Sequence, residues 1–452
     1  MGNLLLAYYG DDFTGSTDAM EALTTAGVRT VLFVDTPDRE TLREEFSDVD
    51  AIGIAGTSRS MTPEEMDDHL PSTFESLNNV DAPIVHYKVC STFDSSPEIG
   101  SIGHAIDIGQ DVFISPYVPV VVGAPELGRY VLFGNHFATL GGTTYRLDRH
   151  PVMSSHPVTP MAESDLRIHL SEQTEKSIGI IDVLSLSDPT EQLERRVEEL
   201  WDEIVVFDTL DQSHLTNIGR VLWEQSTNEP EYDPLFVIGS SGVEYALANF
   251  WNETNRISGS VDLPELSAVE TTAVMSGSAS PITRGQIEWA LENGFSGVRI
   301  DTSELIDPEQ SSQVKEEAIA EAVDLIEDGE SVVFYTALGP DDPYIERTKQ
   351  KAQNLDINTE LGREIGTAQA DILRQFLSKT ELQRVCIAGG DTCGFVTPNL
   401  DIYALEVLSP TAPGSPLCKA SAETEQFDDL QIALKGGQLG QTDYFGRIRN
   451  GK

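Results

Sequence analysis

The chain has 452 residues, 75 acidic against 29 basic side chains and a formal net charge of −46. A chain this long outgrows one ordinary core, so two domains are predicted, and its 39% hydrophobic content excludes wholesale disorder. The charge argues against nucleic acid or an anionic membrane as partner, and no apolar run approaches the roughly 20 residues that span a bilayer.

In chain order, Leu4–Tyr9 reads as a buried first strand. It is too short for a secretory apolar region and lacks a basic lead, which predicts a cytoplasmic protein. Thr17–Ala26 follows as a helix closed by Gly27. Strands are predicted at Thr30–Val34 and Ala51–Ala55, with an acidic helical segment between them, and at Pro83–Val89. The rhythm continues with strands at Ile178–Val183, Ile204–Phe207 and Leu235–Ile238 and a helix at Glu191–Glu203. The polar, turn-rich stretch Asn252–Thr271 marks a boundary, placed between 258 and 259. Beyond it come strands at Thr272–Met275, Gly297–Ile300, Ser331–Thr336 and Arg384–Ala388, and helices at Thr283–Asn293, Val314–Ile326 and Ile365–Leu377. Short apolar runs alternating with helices predict an α/β fold, each half a largely parallel sheet flanked by helices.

The acids are dispersed, as in Glu40, Glu44 and Glu45 or the distant Glu316, Glu317, Glu321 and Asp324, and only nine of the 29 basic residues are Lys. Such a surface predicts a halophile-like protein that stays soluble in high salt. Cys90, Cys386, Cys393 and Cys418 form no C-x-x-C pair, and the eight His residues show no zinc spacing. Reduced thiols and no structural zinc are expected.

Five segments could carry chemistry. Directly after the first strand, Gly10-Asp11-Asp12-Phe13-Thr14-Gly15-Ser16-Thr17-Asp18 puts two carboxylates where open α/β sheets bind ligands. They suit a proton acceptor or a holder of a substrate hydroxyl, and equally a helix cap. Lys88-Val89-Cys90-Ser91-Thr92-Phe93-Asp94-Ser95 sets one of the few lysines beside short polar side chains, which fits a small polyhydroxy carboxylate or merely a polar loop. Arg59 is a similar candidate after the strand ending at Ala55. In the second half, Ser276-Gly277-Ser278-Ala279-Ser280, Ala388-Gly389-Gly390-Asp391-Thr392 and Lys435-Gly436-Gly437-Gln438-Leu439-Gly440 are small-residue turns. Each allows a phosphate to approach backbone amides, and three in one half point to a nucleotide site. No complete Walker loop, dinucleotide fingerprint, protein-kinase set or G-x-S-x-G elbow is present; Gly446 to Gly451-Lys452 has only the Walker spacing. The residues alone reach an α/β enzyme with anion-binding loops.

Together these motifs resemble the four-carbon acid sugar kinase family over nearly the whole chain. Residues 10–18 are similar to its Asp-Asp-x-Thr-Gly signature, and residues 88–95 resemble the branch that includes 3-oxo-tetronate kinases. His156-Pro157-Val158-Thr159-Pro160-Met161, Gly277-Ser278 with Ser280, and Gly389–Thr392 also resemble family sequence. The chain departs where the family carries Glu at Asp391, Asn at Ser101 and a Ser-Gly-Asn-Phe-Gly-like run at residues 436–440. The resemblance implies an acid-sugar domain over 1–258, an ATP domain over 259–452 and an active site in the cleft between them. By position, it assigns Asp12, Arg59, Lys88 and Ser91 to the substrate. The mechanism expected on that basis pairs Lys88 and Arg59 with the substrate carboxylate and has Asp12, with Asp11 second, orient or deprotonate the terminal hydroxyl. Ser278, Ser280, Gly389, Gly390, Asp391, Thr392 and Gly437 fall to ATP. The expected activity is ATP- and Mg²⁺-dependent phosphorylation of a small anionic four-carbon acid sugar such as 3-oxo-tetronate, with no assigned metal ligands and with a homo-oligomer allowed. The alternatives are a kinase of threonate, erythronate or a longer hydroxy acid, and a non-catalytic nucleotide sensor.

Overall fold

The computed structural model describes residues 4–156, 158–228, 234–357 and 361–452. Pro157 of the family-like His156–Met161 stretch lies outside the described residues. The chain forms two compact units, Met1–Val31 with Thr36–Val261, and Leu32–Asp35 with Asp262–Lys452.

The first-half strands are β1 (Leu6–Gly10), β2 (Thr30–Phe33), β3 (Ala51–Ala55), β4 (Ile84–Lys88) and β5 (Val118–Val121). They continue as β6 (Arg129–Leu132), β7 (Asn135–Leu140), β8 (Thr143–Arg146), β9 (Ile178–Ile181), β10 (Ile204–Phe207) and β11 (Leu235–Gly239). In the first unit β3-β1-β4-β11-β5-β10-β9 lie side by side, every pair parallel. Each residue of β1, β3, β4 and β11 is buried. That is the signature of strands covered on both faces, and it explains their largely apolar composition, which β4 breaks with the buried His86 and Lys88. Tyr9, Phe74, Tyr87, Phe113 and Phe236 fill the core, with ring centroids 4.8–6.3 Å apart. The parallel register puts Gly10, Ala55, Lys88 and Gly239 level with one another. The loops that follow these four strands therefore open at one edge.

A smaller antiparallel sheet, β6-β7-β8, is inserted between β5 and β9. Its strands are short and separated by glycine turns, which hides them from periodicity.

The second unit contains β12 (Ala273–Ser276), β13 (Phe295–Arg299), β14 (Ser331–Tyr335), β15 (Arg384–Ala388), β16 (Ile402–Ser409), β17 (Leu417–Ala422) and β18 (Gln431–Lys435). The order is β13-β14-β12-β15-β18-β17-β16. The first five are parallel, and β17 runs antiparallel to both its neighbours, β18 and β16. The stray segment Leu32–Asp35 joins this unit because Leu32 and Phe33 of β2 pair with Leu405 and Ala404 of β16. Register aligns Ser276, Ala388, Lys435 and Tyr335, so the three small-residue turns leave from one edge of this sheet too. Val274, Ile287, Phe295, Val333, Tyr444 and Phe445 pack the core beneath it. Among the described residues, no helix is long and apolar enough to cross a membrane.

Candidate active site

The first unit assembles its polar residues at the carboxyl edge of β1, β3 and β4. Asp12 caps the helix Phe13–Thr25, which therefore begins four residues earlier than its periodicity indicates. Phe, Thr, Gly and Ser are poor helix formers, but the cap overrides propensity. The Asp12 carboxylate accepts hydrogen bonds from the Gly15 amide and, at 3.0 Å, the Thr14 hydroxyl. Arg59, on a short 3₁₀ turn after β3, donates to Asp12 Oδ2 and to Asp94 Oδ2, both at 2.7 Å. Asp94 also accepts from Thr92 Oγ1 at 2.5 Å and Thr159 Oγ1 at 3.0 Å. Burial raises both carboxyls, but the Arg59 guanidinium and these donors overcome it and hold Asp12 and Asp94 below the usual range. Both are therefore ionised at neutral pH.

Asp11 behaves oppositely. It is buried, its Oδ1 has no partner, and burial with the neighbouring Asp12 charge pushes its carboxyl up to about 7. The adjacent carboxylates thus differ in protonation, a division found where acid–base work is done.

Lys88 ends β4 and is almost wholly buried. Its Nζ donates to Val89 O at 3.1 Å and lies 3.8 Å from Asp18 Oδ2. Burial alone would depress this ammonium, but Asp18, Glu244, Asp11 and Asp12 outweigh it and raise its pKa. Asp18 is held in turn by the Ser241 hydroxyl. Ser91 sits half-buried in the turn after β4. Four expected residues, Asp12, Asp11, Arg59 and Lys88, thus lie in one electrostatic network. Sequence reading missed the role of Asp94 as the anchor of Arg59 and of Thr159 as a donor to Asp94, since these pairings join residues 35 and 65 apart. It also missed Gln173, which bonds Ser95, Gly103 and the helix-capping Ser101.

In the second unit the three turns touch. A Cβ added at Gly437 would stand 2.8 Å from Ser278 Oγ; one at Gly277 would stand 2.2 Å, and one at Gly389 2.7 Å, from Thr392 Oγ1. Gly389 has φ +129°, which favours glycine. Ser280 caps the helix Pro281–Glu292 through the Thr283 amide at 3.0 Å, and its hydroxyl donates to Gly437 O. A second helix, Gly390–Asn399, starts beside it, with Gly390 and Asp391 exposed in its first turn. Ser278, Ser280, Gly389, Gly390, Asp391, Thr392 and Gly437 thus gather at one edge. Two helix N-termini there carry partial positive charge suited to phosphate. No cluster of three or more His, Cys, Asp or Glu that could hold a metal occurs among the described residues.

Against this geometry, the sugar-binding N-terminal domain family matches residues 6–247 and the nucleotide-binding C-terminal domain family matches 273–445. The chain is 45% identical to a 3-oxo-isoapionate kinase of Paraburkholderia graminis, over 99% of this chain and 95% of that one. It is 27% identical to a 3-oxo-tetronate kinase of Pseudomonas savastanoi over 98% and 96% of the two chains. A solved Salmonella typhimurium structure, provisionally named a tRNA synthase, shares the fold with a TM-score of 0.76 at 24% identity, covering 98% of both chains.

Proposed function

We propose, because this chain belongs to the four-carbon acid sugar kinase family and is a carbohydrate kinase, that it transfers the γ-phosphoryl group of ATP to a 3-oxo acid sugar, with 3-oxo-isoapionate as the preferred acceptor. The observation that carries the substrate choice is the 45% identity to the 3-oxo-isoapionate kinase, against 27% to the 3-oxo-tetronate kinase. A 3-oxo-tetronate is the second substrate of the same site.

In this reading the acceptor binds over Asp12, Arg59 and Ser91. Phosphoryl transfer proceeds through a loose transition state, so positioning and charge stabilisation outweigh covalent chemistry. Asp12, kept ionised by Arg59, accepts the hydrogen bond of the reacting hydroxyl and aligns its oxygen. Asp11, with its carboxyl near 7, is the second candidate to take the proton. Arg59, with its side chain 30% exposed, meets the substrate carboxylate. Lys88 lies too deep for that contact and acts through its field.

ATP occupies the second unit, its phosphates over Ser278, Ser280 and the Gly389–Thr392 turn, with Gly437 leaving room beside Ser278. Asp391 is the exposed carboxylate of this set. Mg²⁺ would come with the nucleotide and would neutralise the charge developing on its phosphates. In this reading the reaction takes place in the cytoplasm, where ATP is available.

The test is coupled ADP release with 3-oxo-isoapionate, the D and L forms of 3-oxo-tetronate, threonate and erythronate, at low and molar salt. 3-oxo-isoapionate should give the highest kcat/KM. A higher value for either 3-oxo-tetronate would reassign the substrate, and no turnover with any acceptor would defeat the kinase reading of this chain.

A further inference from the structure

Lys435, the last residue of β18, is fully buried. Its Nζ donates to Thr283 Oγ1 at 3.1 Å and to Gly436 O at 2.8 Å, both uncharged oxygens. Among the described residues no carboxylate pairs with it. Elsewhere in this unit Lys315, Lys351 and Lys419, all more exposed, reach aspartates at 2.9, 2.6 and 2.6 Å. In a chain with 75 acids and a net charge of −46, a buried ammonium without an acid is the exception. Burying an unpaired charge is costly. Here burial drives the amine down to about 8, against smaller opposing effects of the facing Cys386 and Cys393 thiols.

The place of this charge is specific. Lys435 is level with Ala388, directly before the Gly436–Gly440 turn. The Thr283 hydroxyl it contacts donates onward to Gly437 O at 3.0 Å, and the Gly437 carbonyl also receives the Ser280 hydroxyl. One ammonium thus fixes the turn and the capped start of the helix Pro281–Glu292 together. The carbonyls of residues 436 and 437 are tied inward by these bonds.

We propose that Lys435 is a positioning residue of the nucleotide site, the buried counter-charge of the polyphosphate, left without a protein anion so that the phosphates themselves neutralise it. This rests on the nucleotide-binding reading of the second unit and adds a residue to it. The amine does not touch the ligand. It acts through the Gly436–Gly440 turn and through its field, since a buried, uncompensated charge is weakly screened.

The experiment compares ADP and adenosine binding by calorimetry in the full-length protein, its Lys435→Met variant and its Lys435→Gln variant. Glutamine keeps a donor for Thr283 and serves where methionine fails to fold. Loss of one charge interaction should weaken ADP roughly 10- to 100-fold while adenosine stays within about twofold. The ligand-free melting temperature of Lys435→Gln should stay close to that of the unaltered protein, because glutamine keeps a donor for Thr283 while the buried unpaired charge is removed. ADP affinity within twofold of the unaltered protein would overturn the inference. Equal loss of adenosine and ADP would also overturn it, by showing a merely structural role. If the unaltered protein binds neither ligand, the nucleotide reading itself fails, which is a distinguishable result.

Discussion

Removing Arg59 should unbalance the acceptor site in a way that can be calculated. Its guanidinium reaches Asp12 and Asp94 at 2.7 Å each. The Asp94 side chain is 0% exposed, whereas that of Asp12 is 22% exposed and keeps the Gly15 amide. In Arg59→Met the orphaned charge that matters is therefore Asp94, left with only Thr92 and Thr159 as donors. Breaking a buried pair costs about 3–5 kcal/mol; the partly exposed Arg59 puts the expected loss near the lower end, about 3 kcal/mol. Asp94→Asn in the same chain removes the stranded charge and should restore more than about 1 kcal/mol, a coupling that independent sites would not show. The sign with pH follows. In the unaltered protein the depressed Asp94 carboxyl contributes stability above its unfolded pKa, and that contribution is lost as pH falls through the folded value. In Arg59→Met burial instead raises Asp94, so its penalty is present at neutral pH and shrinks on acidification. Urea unfolding followed by the buried Trp223 and Trp251, packed 5.4 Å apart in the same unit, reads these changes. A cost below about 1 kcal/mol, or strict additivity with Asp94→Asn, would refute the reasoning.

Asp12→Asn should preserve the fold, since Asn caps a helix as well as Asp, while turnover falls by roughly 10²–10⁴ and ADP affinity stays unchanged; kinetics and calorimetry on the same sample separate the two. Asp11→Asn should stabilise the first unit at pH 8 by up to about 4 kcal/mol, because a carboxyl raised to about 7 costs stability once ionised. That gain should fade toward pH 5 in urea titrations. Gly437→Val places a branched side chain against Ser278 and should weaken ADP about tenfold or more, measured by calorimetry, with little change in acceptor binding.

Local pattern carried the α/β fold a long way. Ala51–Ala55, Ile204–Phe207 and Arg384–Ala388 form strands with the bounds their apolar runs indicate. What failed was context. The Phe13–Thr25 helix starts early because one capping carboxylate rescues poor helix formers. The strands β6–β8 and β16–β18 are short or antiparallel and interrupted by turns, so neither period stands out. The exchange of Leu32–Asp35 into the second unit depends on pairing with residues 404 and 405, which no local window contains. The site divides in the same way. Glycine turns and the Asp11-Asp12 pair are visible because they directly follow apolar strand runs, where open α/β sheets bind ligands. The depth of Lys88, the Arg59–Asp94 pair and the isolation of Lys435 are not visible, because burial and pairing are set by distant partners.

The most direct measurement is phosphorus NMR of ATP, Mg²⁺ and 3-oxo-isoapionate incubated with the purified protein. The account predicts ADP together with a phosphomonoester signal split by the protons of a carbon-bound hydroxyl position, and loss of that signal in Asp12→Asn. ADP with only inorganic phosphate, or an unaltered ATP spectrum across every acceptor tried, would contradict it.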